Sequence, residues 1–260
     1  MVSAKYGIII KMKIIRGIYT GYCLAVFSIL FAIFFWPLLV PILNPSKHRW
    51  VGIINRIWAR VAFTLVALPW KIEYRQPLDP NRQYIFCPNH FSYLDIPAMG
   101  LNKLNAIFVG KSDMVNIPWF GWMYRKLHIT VDRTKLMSKF NTFKRSIDAI
   151  EEGKSLIYFP EGGIITEREP AMSPFKDGAF RVAIEKHVPI IPVTIPNNWI
   201  ILPPNEFLLR WGKVRMIFHE PIDTKGLTMN DMDELKLRVY QTIEAELKKH
   251  INYADYERTT

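Results

Sequence analysis

His90 and Asp95, five residues apart, are the pair with the plainest chemical use in this chain. An imidazole can take a proton near neutral pH. A carboxylate beside it orients the ring and stabilises its cation, so the two together make a general-base relay. On a regular helix, residues five apart point about 140° away from each other. The pair can meet only if His90 sits in a turn and Asp95 in the first turn of a helix that follows. The neighbourhood allows this: Tyr84 to Cys87 reads as a strand, Pro88 and Asn89 close it, and four residues then lead to Asp95. The spacing alone is weak, because a histidine this far from an aspartate also arises in caps and cores.

Other segments follow in a fixed order. They are Phe108-Val109-Gly110-Lys111, Ile117-Pro118-Trp119-Phe120-Gly121, Val131-Asp132-Arg133 and Tyr158-Phe159-Pro160-Glu161-Gly162-Gly163. Phe175-Lys176-Asp177-Gly178-Ala179 and Val188-Pro189-Ile190-Ile191-Pro192-Val193 complete the set. With the His90 block, this ordered set resembles the glycerolipid acyltransferase family across roughly Tyr84 to Val193. The resemblance implies transfer of an acyl chain from an acyl thioester, carried by coenzyme A or acyl carrier protein, to the hydroxyl of a lysophospholipid. The first acceptor it suggests is 1-acyl-sn-glycerol-3-phosphate, giving phosphatidic acid. It makes His90 the base and Asp95 its orienting partner. Arg133 would meet the acceptor phosphate, with Lys111 as a second phosphate contact. Glu161 would touch a hydroxyl or orient a cation, Gly162 would serve the turn, and Asn89 would line the substrate site beside His90. A thioester is reactive without a metal, so no metal or other cofactor is expected. The tetrahedral oxyanion needs donors, which the His90 turn or the Gly162-Gly163 turn could supply.

One departure bears on the acceptor. The family block usually continues Thr-Arg-Ser after Glu-Gly, where this chain has Gly163, Ile164 and Ile165; Arg168 lies four positions beyond the expected arginine. A different head group, such as that of a lyso-aminoacyl lipid, is therefore an alternative acceptor.

These residues need a scaffold. Short β-rich runs recur at Trp70–Tyr74, Tyr84–Cys87, Ala106–Val109, His128–Val131, Ser155–Phe159, Ile190–Ile195 and Val214–Phe218. Between several of them lie helical patterns: Leu136, Phe140, Phe143, Ile147 and Ile150 before Gly153, then Phe175 to Lys186, then Met232 to His250. Strands alternating with helices predict an α/β fold: a mixed, largely parallel sheet covered by helices. The expected division is residues 1–69 as a membrane-anchoring helical segment, 70–252 as the α/β acyltransferase domain and 253–260 as a polar tail. Of the other histidines, His128 reads as opening a strand, and His187 and His219 as lying near strand ends.

The anchor rests on Gly17 to Ser46, which carries no charged residue and exceeds the roughly 20 apolar residues needed to cross a bilayer. Basic residues flank it on both sides: Lys5, Lys11, Lys13 and Arg16 before, Lys47, Arg49, Arg56 and Arg60 after. By the positive-inside rule both flanks prefer the cytoplasmic face, which predicts a hairpin or shallow two-helix anchor that turns at Pro37, Pro41 and Pro45, with a true single span as the rival arrangement. The location that follows is the cell membrane, the bacterial inner membrane by analogy, with the catalytic domain on its cytoplasmic face.

The bulk composition bounds the rest. The chain has 260 residues, 50% of them hydrophobic and 22% charged, which excludes general disorder. Two cysteines, Cys23 and Cys87, cannot build a disulfide framework. A formal net charge of +11 points to anionic partners: membrane lipids, a phosphorylated acceptor, coenzyme A or an acidic carrier protein. Nucleic acid is not expected, since the basic residues are dispersed and form no recognised motif.

Overall fold

The computed structural model describes residues 2–110, 115, 117–131, 136–165 and 169–250. Seven strands form one sheet: β1 Trp70–Tyr74, β2 Ile85–Pro88, β3 Ala106–Gly110, β4 Ile129–Thr130, β5 Ser155–Tyr158, β6 Ile190–Thr194 and β7 Val214–Phe218. Their spatial order is β1-β7-β6-β2-β5-β3-β4. Every neighbouring pair is parallel except β6 with β7, so the sheet is mixed and largely parallel, as the pattern predicts. Eight α-helices accompany it: α1 Val2–Leu43, α2 Arg49–Leu65, α3 Asp95–Met99, α4 Phe120–Leu127, α5 Leu136–Glu151, α6 Gly178–Lys186, α7 Asn198–Ile201 and α8 Met232–His250.

The inner strands β2, β3, β5 and β6 bury both faces, as strands of a parallel sheet do, while the edge strand β1 stays partly open. Side chains alternate along a strand, so successive residues of β2 enter different cores. Ile85 and Cys87 pack with Phe180, Ala183, Val239 and Ile243 of α6 and α8. Phe86 packs with Ala59 and Phe63 of α2 and with Ala98 and Met99 of α3. The α8 start is fixed by a capping box in which Thr228 and Asp231 exchange side-chain and backbone bonds, and Lys248, Lys249 and His250 complement the dipole at its end. The α5 pattern stops where expected: Gly153 adopts φ +82°, which a side chain would resist.

The N-terminal helices form an antiparallel hairpin. Tyr19 donates to the Val66 carbonyl at 2.7 Å, Phe27 meets Trp58 edge-on at 5.3 Å, and Leu38 packs with Ile54. Its turn corrects the sequence reading. Pro37 and Pro41 lie inside α1, and the chain reverses only at Asn44, whose side chain caps the short 3-10 turn Pro45–Lys47. Four residues apart, the two prolines share one side of the helix, so their lost hydrogen bonds fall together. A helix-interior proline costs about 3 kcal/mol. Packing offsets it here: Leu38 meets Ile54 and Met123, while Phe35 meets Trp119 and Trp122.

Candidate active site

Three adjacent parallel strands end side by side, which is where open α/β sheets place their ligands. β6, β2 and β5 are neighbours in that order. Their C-terminal ends therefore deliver Asn89 and His90, Phe159 to Glu161, and Ile195 to Asn198 to one place. The α3 helix begins at Asp95, so His90 occupies the turn and Asp95 the first helical residue, the arrangement the five-residue spacing requires.

The pair meets. His90 Nδ1 lies 3.0 Å from Asp95 Oδ2, and both side chains are almost fully buried. The same carboxylate oxygen accepts the N–H groups of Phe91 and Ser92, both at 2.9 Å. The other oxygen accepts the Asn198 side-chain amide at 2.9 Å. Charge-assisted bonds of this kind fix the carboxylate's rotamer. A carboxylate only accepts, so Nδ1 carries the proton and Nε2 holds the lone pair. Phe159 stacks on the imidazole with ring centroids 3.9 Å apart and planes 21° apart, and Phe108 stacks behind Phe159 at 6.3 Å. The ring is thus held by a carboxylate at its edge and an aromatic face.

Two residues expected to touch substrate do something else. Glu161 is fully buried, and each of its oxygens accepts a backbone N–H: Oε1 from His90 at 2.8 Å and Oε2 from Ser173 at 2.9 Å. Burial, with the Asp95 and Glu169 charges adding to it, pushes its carboxyl up to about 7 against the pull of those two N–H groups. Asn89 is also fully buried and pairs twice with Ile195, giving to its carbonyl at 3.0 Å and taking from its N–H at 2.7 Å. Their polar atoms face backbone, so both are positioning residues for the His90 turn. Gly162 has φ +90°, and its N–H donates to the Phe159 carbonyl at 2.9 Å, which suits the turn role. Lys111, Arg133 and Arg168 lie outside the described residues.

Most N–H groups of the His90 turn are already committed, which narrows its use as an oxyanion donor. The N–H groups of His90, Phe91, Ser92 and Leu94 are already engaged by Glu161, Asp95, Asp95 and the Ser92 hydroxyl respectively. Asn198 and Phe159 are the partners of the His90–Asp95 pair that sequence reasoning missed. Asn198 lies 103 residues from Asp95, and only the Pro196-Asn197-Asn198 turn marks it. Among the described residues, no group of three or more His, Cys, Asp or Glu is placed to hold a metal ion.

Beside the His90 turn lies an apolar cavity of about 600 Å³. Tyr93 and Leu94 of that turn, Phe108 of β3, Phe27 and Phe31 of α1 and Trp58 of α2 are among its walls. The N-terminal hairpin therefore closes one side of the chamber.

A buried imidazole held by a carboxylate, at the ends of parallel strands and beside an apolar cavity, is an arrangement that general-base chemistry can use. The comparisons agree. The family model described as Acyltransferase matches residues 70–196. A 1-acyl-sn-glycerol-3-phosphate acyltransferase of Haemophilus influenzae is 33% identical over 218 residues, covering 80% of this chain and 86% of that protein. The chloroplastic 1-acyl-sn-glycerol-3-phosphate acyltransferase LPAT1 of Arabidopsis thaliana is 28% identical over 70% of the chain, and that of Brassica napus, BAT2, is 31% identical over 53%. The chain spans only 51% and 40% of these two plant proteins. The fold matches the crystal structure of the 1-acyl-sn-glycerophosphate acyltransferase PlsC from Thermotoga maritima with a TM-score of 0.75, at 21% identity and over 92% of this chain and 98% of that one. The chain belongs to the acyltransferase family.

Proposed function

We propose that this protein transfers an acyl chain from an acyl thioester of coenzyme A or acyl carrier protein to the free hydroxyl of 1-acyl-sn-glycerol-3-phosphate, giving phosphatidic acid. The observation that carries the reading is the His90–Asp95 pair with its Nε2 lone pair directed away from Asp95, next to a chamber that suits hydrocarbon. An alcohol is a poor nucleophile until a base takes its proton. Nε2 of His90 takes it as the hydroxyl oxygen attacks the thioester carbonyl. Asp95 stabilises the imidazolium that forms. Collapse of the tetrahedral intermediate breaks the carbon–sulfur bond, and His90 returns the proton to the leaving thiolate. The Gly162 N–H is spent on the Phe159 carbonyl, so the Gly163 N–H is the donor of that turn left for the oxyanion, and Arg133, with Lys111, meets the acceptor phosphate in the manner the family resemblance implies. The relatives from Haemophilus influenzae and the two plants are named for this acceptor, which supports it.

The protein works on a membrane, as a monotopic enzyme on the cytoplasmic face. Residues Ile10–Leu43 of α1 are long and apolar enough to cross a bilayer. The helix nevertheless touches the α/β domain at two places along its length. Arg16 bonds Glu206 and the Leu208 carbonyl, and Phe35 packs on Trp119 and Trp122. Its opposite side exposes Ile18, Ile29, Ile33 and Trp36, between 57% and 70% open. A helix laid along its own domain with one apolar face outward is suited to lie in the bilayer interface.

A second acceptor has one feature in its favour: Gly163, Ile164 and Ile165 stand where the family carries Thr, Arg and Ser. The deciding experiment gives purified enzyme in vesicles one acyl thioester and a panel of lysophosphatidic acid and lyso-aminoacyl lipids, with products identified by mass spectrometry. Phosphatidic acid as the dominant product supports the first acceptor. Acylation of another lysolipid in its place selects the second. Thiol release with no acylated lipid refutes acyl transfer.

A further inference from the structure

The cavity has polar groups that the transfer chemistry leaves unused. On its α4 side stand Tyr124 and His128, which are 7% and 6% exposed, with ring centroids 4.5 Å apart. His128 Nδ1 accepts the Phe108 backbone N–H at 3.2 Å. A nitrogen that accepts carries no proton, so the neutral ring keeps its proton on Nε2. Burial pushes this imidazole down to about 3, which keeps the ring neutral across the physiological range. Neither the Nε2 proton nor the Tyr124 hydroxyl has a hydrogen-bond partner among the described residues. Around them the chamber presents Phe31, Phe120 and Phe108, whose side chains carry no acceptor atom, and Met123, whose thioether is only a weak one.

Their position relative to the base is set by a line of aromatic rings. His90 stacks on Phe159 at 3.9 Å, Phe159 on Phe108 at 6.3 Å, and Phe108 meets His128 edge-on at 5.3 Å. A chain whose carbonyl sits at His90 and whose tail follows these rings passes His128 several carbons further on. A plain hydrocarbon tail would cover both donors and satisfy neither. A buried donor left without an acceptor shifts an equilibrium by roughly tenfold to a hundredfold. An oxygen at that point in the chain would accept from Nε2 and exchange a bond with the tyrosine hydroxyl.

We propose that His128 and Tyr124 form a polar subsite that selects an acyl chain bearing an oxygen substituent, a hydroxyl or an ester oxygen, several carbons from its carboxyl end. This rests on the acyl-transfer reading above and names the substrate class of the same site. The oxygenated chain can belong to the thioester donor or to the lysolipid acceptor, since both are long and apolar.

The test is a competition within one reaction, read by mass spectrometry as the ratio of products from oxygenated and plain chains. One arm supplies positional isomers of a hydroxyacyl-coenzyme A against the unsubstituted thioester of equal length, with plain lysophosphatidic acid. The other places the hydroxyl on the lysolipid chain and keeps the donor plain. The expected result is a preference of about tenfold or more for one isomer in at least one arm. In Tyr124→Phe the ratio should fall at least threefold, and in His128→Phe further still. Because the ratio is internal, a partly destabilised variant remains informative, and if His128→Phe does not fold, Tyr124→Phe decides. Equal transfer of every isomer and the plain chain in both arms overturns the subsite, as does a preference that Tyr124→Phe leaves unchanged. A protein that transfers neither chain overturns acyl transfer itself, so the two failures are distinguishable.

Discussion

Replacing Asp95 by asparagine separates the charge of the carboxylate from its geometry. Asp95 Oδ2 sits under three donors, His90 Nδ1 and the N–H groups of Phe91 and Ser92. Those two backbone donors will keep the asparagine oxygen, and not its NH₂, facing the imidazole. The new NH₂ then faces Asn198, whose own carbonyl oxygen is buried without a hydrogen-bond partner. Rotating the Asn198 amide by half a turn supplies the acceptor. Every bond is kept, the proton stays on Nδ1, and only the negative charge is lost. Two unit charges about 4 Å apart at an effective dielectric of 20 interact by about 4 kcal/mol. That sets the upper bound on how much more the carboxylate favours the imidazolium-like transition state, a loss in kcat of up to about 10³-fold. The expected outcome is a fall of about 10² to 10³ in the initial rate of phosphatidic acid formation from acyl thioester and lysophosphatidic acid. The melting temperature should stay within a few degrees of the parent. Asp95→Ala, which strands four buried donors, should instead lower the melting temperature clearly. An asparagine variant that keeps its rate within threefold would refute the idea that the charge does chemical work. One that unfolds would refute the amide exchange with Asn198.

Two further predictions follow from the same geometry. The Glu161 carboxyl titrates near 4.5 when exposed and near 7 in the folded chain. The native state therefore holds a proton that the unfolded state has released, so this group's contribution to stability is fully present below pH 4.5 and is lost as pH rises through 7. The decline is on the order of 3 kcal/mol. Glu161→Gln has no such proton, and the parent's melting temperature should fall several degrees more than the variant's between pH 5 and pH 8; parallel curves would contradict the assignment. The outward apolar stripe of α1 predicts membrane attachment: Ile29→Glu with Ile33→Glu should lower co-flotation with anionic vesicles at least tenfold while leaving soluble thermal unfolding in place, and unchanged flotation would remove the stripe from the anchor.

What could be seen in the sequence follows from element length and burial. The inner strands were legible because they are buried on both faces and read as continuous apolar runs, and all seven strands appear within a few residues of their expected ends. The longer helices α5 and α8 show their period over several turns. α3 and α7 have five and four residues, too short for any period to appear, and α7 carries Asn198. The His90–Asp95 pair was legible because the strand ending at Pro88 dictates a turn. The duties of Glu161 and Asn89 were not, since a side chain that bonds backbone looks in sequence like one that binds substrate. Nor could composition show that α1 continues through two prolines, because the contacts that hold it come from α4, some eighty residues downstream.

The central claim is that the His90 imidazole takes the proton from the acceptor hydroxyl. His90→Gln keeps an amide able to bond Asp95 and leaves the Phe159 face in place, but it cannot be a base. Its turnover, measured with acyl thioester and lysophosphatidic acid in vesicles, should fall about 10²- to 10⁴-fold with the melting temperature preserved. A variant that still forms diacyl product at close to the parental rate would contradict the account.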